Sequence, residues 1–155
     1  MDEQTKKVLG RLEAQCAKRE YCSVDVLQKA LKALEGNEGK AAEVLQSLRE
    51  NKFVDDLRYA SAFAREKSAL TGWGPLKIRF ALGAKKIDRE VIDAALKEVD
   101  SGKADERLER LMQAKWKNLE GNPQAKLKLL KFALSRGYDY DSVQRTADKI
   151  YKNND

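Results

Sequence analysis

Apolar residues recur along this chain at intervals of three and four and never alternate over the length of a strand, a spacing that predicts helices from end to end. The first is expected from about Gln4 to Lys18, with Val8, Leu9, Leu12 and Cys16 on one stripe and Lys7, Arg11 and Lys18 on another. Ser23 stands as the N-cap of a second helix that carries Val26, Leu27, Ala30, Leu31 and Leu34, and Glu35-Gly36-Asn37 ends it. A third, from about Glu38 to Asn51, turns Ala41, Val44, Leu45 and Leu48 inward. The stretch from Phe53 to Ile87 reads as a helix, a Gly74-Pro75 corner and another helix. Ala60, Phe63 and Ala64 form the inner face of the former. Pro75 takes the first helical position of the latter, where its missing N–H costs nothing, and Leu76, Phe80 and Ile87 make its apolar stripe. Asp88 caps a helix that buries Val91, Ile92, Ala95 and Leu96 before a break at Ser101-Gly102.

The last third repeats the device. A helix from near Lys103 buries Leu108, Leu111, Met112 and Leu119, and Asn122-Pro123 reads as a second cap-and-proline corner. The helix after it sets Leu127, Leu130 and Leu134 opposite Lys128 and Lys131, Gly137 stops it, and a final helix from about Asp141 to Tyr151 carries Val143, Ala147 and Ile150. Phe63 stands twelve residues before Pro75, as Leu111 does before Pro123. The expected fold is therefore all-α, with three tandem three-helix repeats over residues 1–53, 54–101 and 102–155 that cover each other's apolar faces. Such an array buries its own faces without a second copy, so a monomer is expected.

Composition narrows the class. Of 155 residues 36% are charged and only 7% aromatic, and no apolar run reaches membrane-spanning length, so no membrane association is expected. The N-terminal MDEQTKKVLG lacks the apolar core of a signal peptide, and Cys16 and Cys22 make no disulfide framework; the reading is a cytoplasmic protein with free thiols. The formal charge of +6 is unevenly placed: residues 57–89 hold eight basic and two acidic side chains, and residues 107–136 hold eight and two again. Two such blocks at related positions suit a polyanionic partner, although a lysine-rich helix face also serves plain solvation.

Several chemistries are closed to this sequence. Without histidine there is no Ser-His or Cys-His nucleophile and no histidine-ligated metal, and two cysteines cannot complete a structural zinc site. Gly72-Trp73-Gly74 lacks the lysine and hydroxyl residue of a phosphate loop, and Asp55-Asp56 is explained by a helix N-terminus. No catalysis, cofactor or metal is expected. Trp116 reads as packing. Trp73, flanked by glycines at a corner, suits either stacking on a base or partner side chain or plugging two helices together.

The central stretch resembles the RecX family, bacterial regulators of the recombinase RecA. The likeness rests on Phe53-Val54-Asp55-Asp56-Leu57-Arg58-Tyr59-Ala60, Phe63, Arg65, Gly72-Trp73-Gly74-Pro75, Lys77-Ile78-Arg79, Leu82 and Lys85-Lys86-Ile87. It extends to Arg19-Glu20-Tyr21-Cys22-Ser23 and to Phe132-Ala133-Leu134-Ser135-Arg136-Gly137-Tyr138. Lys52 and Lys86 depart from it, standing where the family usually has glycine; these helix stops then need a left-handed lysine or a different turn. The resemblance implies an elongated, curved array that binds along the RecA filament on single-stranded DNA and restrains filament growth, strand exchange and ATP hydrolysis. Arg58, Arg65, Lys77, Arg79, Lys85, Arg107, Arg110, Lys117, Lys128 and Lys131 are the candidate cationic surface for that contact. The rival reading is a sequence-independent nucleic-acid-binding helical protein with no recombinase partner.

Overall fold

In the computed structural model, which describes residues 1–99 and 101–154, every regular element among the described residues is an α-helix. They run α1 (Glu3–Lys18), α2 (Ser23–Ala33), α3 (Glu38–Glu50), α4 (Asp56–Leu70), α5 (Pro75–Ala84), α6 (Arg89–Glu98), α7 (Ser101–Asn118), α8 (Ala125–Ser135) and α9 (Tyr140–Asn153). None of these is long and apolar enough to cross a membrane. The break expected at Ser101-Gly102 is helical, since α7 starts at Ser101; residue 100 lies outside the described residues. By compactness the chain divides into two units, Met1–Ala62 with Leu82–Ala95, and Phe63–Ala81 with Leu96–Asp155. The division falls inside α4, α5 and α6, the helices of the central sequence repeat.

In the first unit α1, α2 and α3 pack on one another around Val8, Leu12, Val26, Ala30, Leu34, Ala41, Val44, Leu45 and Leu48, with Val54 added from the following turn. The stripes read from spacing are the ones buried here. Asp2 opens α1 by accepting from the Thr5 N–H at 2.7 Å, and Lys40 Nζ lies 2.8 Å from the same carboxylate. The Lys40 hydrogen bond, with that of Thr5, holds the Asp2 carboxyl well below the usual carboxylate range. Asn37 caps α3 through the Lys40 N–H. Ser23, however, is not a cap. It is the first helical residue of α2, and its N–H is received at 2.8 Å by Asp56, 33 positions downstream. Its neighbour Asp55 caps α4 at the Arg58 N–H, so both acids of the pair are spent on helix starts.

Three helices stop in the same way. After α2, α3 and α5 the chain turns through left-handed Glu35, Lys52 and Lys86, at φ of 54°, 62° and 58°. The following N–H reaches back across the turn: Gly36 to the Leu31 carbonyl, Phe53 to Leu48 and Ile87 to Leu82. Of the two turns left open for the lysines, the left-handed one is adopted. Arg58 reinforces the Lys52 turn, its Nη2 donating to the carbonyls of Lys52 at 3.0 Å and Phe53 at 3.3 Å. Because a Cβ in this region costs about 1 kcal/mol beyond what glycine pays, part of it returned through unfolded-state entropy, Lys52→Gly and Lys86→Gly are each expected to stabilise by roughly 0.5–1 kcal/mol. Urea unfolding checks this, and a lower midpoint in both variants contradicts it.

The second unit centres on α7, α8 and α9, which bury Leu108, Met112, Leu119, Leu129, Ala133, Val143, Ala147 and Ile150 together with Tyr138. Trp116 packs at this core's edge, its ring 5.1 Å from that of Tyr151, as expected. Asp139 caps α9 through the Ser142 N–H at 2.9 Å. Two details differ from the sequence reading. Pro123 is not the first residue of α8: the Asn122 side chain accepts from the Gln124 N–H, making a local turn, and the helix begins at Ala125. The α8 stripe is also rotated, because Leu129 and Ala133 are buried while Leu127 and Leu134 are exposed. The same shift occurs in α5, where Ile78 and Leu82 are buried while Leu76 and Phe80, at 52% and 80% exposure, stand outside.

The Gly74-Pro75 corner sets that rotation. Gly74 donates its N–H to the Arg136 carbonyl at 2.7 Å, and the Leu76 N–H donates to the Gly137 carbonyl at 2.9 Å. The open first turn of α5 is thus capped by backbone carbonyls from the end of α8 rather than by a side chain. Gly74 has no room for a Cβ, which would meet the Gly137 carbonyl, and Gly137, at φ +95°, has none because its own would meet Lys77. The Tyr138 hydroxyl closes the contact by donating to the Gly72 carbonyl at 3.2 Å.

Candidate nucleic-acid interface

The ten candidate cations do not share one environment. In the first unit Arg58 and Lys85 are already matched. Arg58 Nε donates to the Glu20 carboxylate while its Nη2 serves the Lys52 turn, and Lys85 Nζ lies 3.1 Å from Asp25. Their hydrogen bonds to Glu20 and Asp25 raise both pKa values further, so both stay charged and both stay paired at neutral pH. They hold residues 38 and 60 positions away rather than forming an open rail.

In the second unit the corner collects the next group. Trp73 is half-buried, edge-on to Phe63 at 6.1 Å, with Lys67 Nζ 4.9 Å and Lys77 Nζ 4.6 Å from its ring centre. Trp73 therefore plugs the corner between α4 and α5, and Lys77 lies over it as a cation on an aromatic face. Lys67 belongs to the same cluster. It was missed as a candidate, although its spacing of four from Phe63 is a readable signal. Arg65 stands 3.8 Å from Glu98 with both side chains mostly in water, a pairing worth little. Arg79 is half-buried on α5.

Arg107 and Arg110 come together. Three positions apart on α7, they line one cleft of about 400 Å³ with Ser68, Thr71, Gly72 and Leu111. Arg107 is half-buried, and its Nη1 is shut off from water with no acceptor among the described residues. Nearby, Arg136, a second missed cation, points Nη1 at the Thr71 carbonyl at 3.5 Å and lies over the Phe132 ring. Burial pushes the Tyr138 phenol up, while Arg107 and Arg136 pull it part of the way back. Lys117, Lys128 and Lys131 are exposed on α7 and α8 and, like Arg110, have no ion pair among the described residues. Lys117 borders a separate hollow with Trp116 and Gly121, and the two α8 lysines stand apart from both openings.

The thiols take no part. Cys22 is buried and Cys16 half-buried, and burial raises both pKa values, keeping them protonated packing groups. Among the described residues no three His, Cys, Asp or Glu side chains gather as a metal site.

Comparison with known proteins gives a consistent result. Residues 55–96, which span α4 to α6, match the family model described as RecX, second three-helix domain. The regulatory protein RecX of Clostridium tetani is 31% identical over 120 residues, which is 74% of this chain and 55% of that protein. The regulatory protein RecX of Salmonella typhimurium is 31% identical over 96 residues, 62% of this chain and 57% of that one. The chain thus spans little more than half the length of these relatives. The crystal structure of RecX from Lactobacillus salivarius matches 97% of this chain and 98% of its own with a TM-score of 0.86 at 18% identity, a likeness of fold.

Proposed function

This chain belongs to the RecX family, and on that premise we propose that it binds RecA filaments on single-stranded DNA and, without catalysing a reaction itself, restrains their growth, strand exchange and ATP hydrolysis. The observation that supports this reading is the contrast, among the ten candidate cations, between those of the two units. Arg58 and Lys85 are matched inside the first, whereas Arg110, Lys117, Lys128 and Lys131 in the second are exposed with no ion pair among the described residues. These four lie in a segment, residues 107–136, that holds eight basic and two acidic side chains, and such an excess favours a polyanion there. A nucleoprotein filament presents phosphate and protein surface in a regular repeat, and a ligand that touches several protomers at once opposes both their addition and their turnover. Partner and DNA are inside the cell, so the site of action is the cytoplasm.

Single-stranded-DNA-dependent ATP hydrolysis by the cognate RecA, titrated with this protein, tests the proposal when run beside binding to the same DNA alone. The expected result is inhibition at protein well below the RecA concentration, with weak binding to naked DNA. Inhibition only at amounts that coat the DNA, together with the steep salt dependence of a pure phosphate binder, overturns it in favour of a nucleic-acid-binding protein with no recombinase partner.

A further inference from the structure

Phosphate recognition on this chain has a specific seat. We infer that the cleft formed by residues 68–72 and α7 binds a single phosphate group through Arg107 and Arg110. This deepens the function proposed above and rests on it only for the source of the phosphate, a DNA backbone diester rather than a free nucleotide.

The lining sets out the chemistry. Arg107, Arg110, Ser68, Ala69, Leu70, Thr71, Gly72, Leu111 and Ala114 surround the opening, so its only ionisable groups among the described residues are two guanidinium ions. A guanidinium fork matches the paired oxygens of a phosphate, and apolar walls such as Leu111 and Ala114 strengthen each charged hydrogen bond by thinning the water around it. At about 400 Å³ the cleft has the size of a small-ligand site and accommodates a phosphate with part of its sugar.

The end of α4 would ordinarily oppose an anion, because unpaired carbonyls make a helix C-terminus negative. Here the Lys67 carbonyl, the first of the last turn, is taken, as are others around it. The Ser68 hydroxyl donates to the Arg65 carbonyl, and the Thr71 hydroxyl and Trp73 N–H both donate to that of Lys67. Arg136 and the Tyr138 hydroxyl serve the carbonyls of Thr71 and Gly72.

Arg107 carries the strongest sign of a missing partner. Its Nη1 is excluded from water and has no acceptor among the described residues. Arg107 also lines a smaller cavity of about 90 Å³ with Ser68, Trp73, Ile78 and Tyr138, none of them acidic. A guanidinium with one desolvated nitrogen, beside openings with no acid among their described lining residues, is what an anion site looks like before its ligand arrives.

The arginine Nε–H resonances of the full chain, followed by NMR, read the site directly. The probes are inorganic phosphate and an oligothymidylate of about ten nucleotides, with ionic strength held constant by chloride. Saturable shifts at Arg107 and Arg110 are expected with both, and Arg110→Gln is expected to abolish the phosphate response and weaken the oligonucleotide about tenfold. Arg107→Met separates recognition from folding: it removes the phosphate response while the melting temperature stays level or rises, since a donor nitrogen shut off from water without an acceptor is replaced by an apolar group. Loss of the phosphate response with unchanged oligonucleotide affinity in Arg110→Gln upholds the site and assigns it to free nucleotides. No saturable response at either arginine, with Arg110→Gln binding oligonucleotide as the parent does, overturns the inference; persistence of RecA inhibition in that case leaves the proposed function intact.

Discussion

Gly74→Ala is expected to destabilise the protein by about 3 kcal/mol or more, a drop of roughly 6–12 °C in melting temperature for a chain of this size. The reason is geometric. A Cβ on Gly74 would lie 2.5 Å from the Gly137 carbonyl oxygen, 2.6 Å from its carbon and 2.8 Å from Tyr138 Cγ. Two of these atoms are backbone and the third roots an aromatic ring, so none can swing aside. Relief requires moving the end of α8 away from α5, which breaks the Gly74 and Leu76 N–H bonds to the Arg136 and Gly137 carbonyls. Gly137→Ala meets the same wall from the other side, with an added methyl driven into the Lys77 backbone at a φ of +95°. Gly83→Ala is the control. It lies within α5 with nothing inside 4 Å of the new methyl, and there the substitution should be neutral or stabilise by up to ~1 kcal/mol. Thermal unfolding of the three variants decides the point, and a Gly74→Ala protein melting within about 2 °C of its parent refutes the close approach.

That corner also explains which parts of the fold were legible. In α1, α3 and α9 the apolar residues fall on a single stripe, so spacing alone identified Val8 and Leu12, Val44 and Leu48, Val143 and Ile150 as core. In α5 it could not. Leu76 and Phe80 stand four apart, and so do Ile78 and Leu82; each pair makes a plausible inner face. The choice is made by backbone hydrogen bonds from Arg136 and Gly137, some sixty residues away, which fix the rotation of the first turn and put Ile78 inside. In α8 Leu127 and Leu134 compete in the same way with Leu129 and Ala133.

The candidate surface was legible as a composition and not as a geometry. Local rules located the basic blocks, and the family resemblance left Lys52 and Lys86 a left-handed conformation or a different turn, of which the first is adopted. They could not show that Glu20 and Asp25 reach Arg58 and Lys85, because ion pairs between segments 38 and 60 residues apart leave no periodic trace. Ser23 failed as a cap for the same reason: a carboxylate from Asp56 took the role a serine usually fills locally. Trp73, open between two readings in sequence, lies half-buried against Phe63 with Lys67 and Lys77 over its ring. Arg107 was named for its charge alone; its buried, unmatched nitrogen was beyond any reading of spacing.

Those differences turn a general expectation about charge into a selective one. Reversing Arg110, Lys117, Lys128 and Lys131 together to glutamate is expected to lower affinity for the RecA filament about 100-fold or more, with helicity unchanged. All four are exposed and unpaired among the described residues, so their reversal removes no internal partner. Each contact to single-stranded DNA also contributes ~0.7 to the slope of log affinity against log salt, and losing four flattens it by roughly three. The reversal Arg58→Glu with Lys85→Glu carries fewer charges yet acts differently. It sets carboxylates against Glu20 and Asp25 and strips the Lys52 turn of its guanidinium, so it should lower the melting temperature while leaving the salt slope of the folded protein near its parent value. Circular dichroism and filament binding across a salt series separate the two sets. If the quadruple variant binds with parental affinity and slope, the cationic faces of α7 and α8 are solvation only; if the Arg58 and Lys85 pair flattens the slope instead, the contact surface belongs to the first unit.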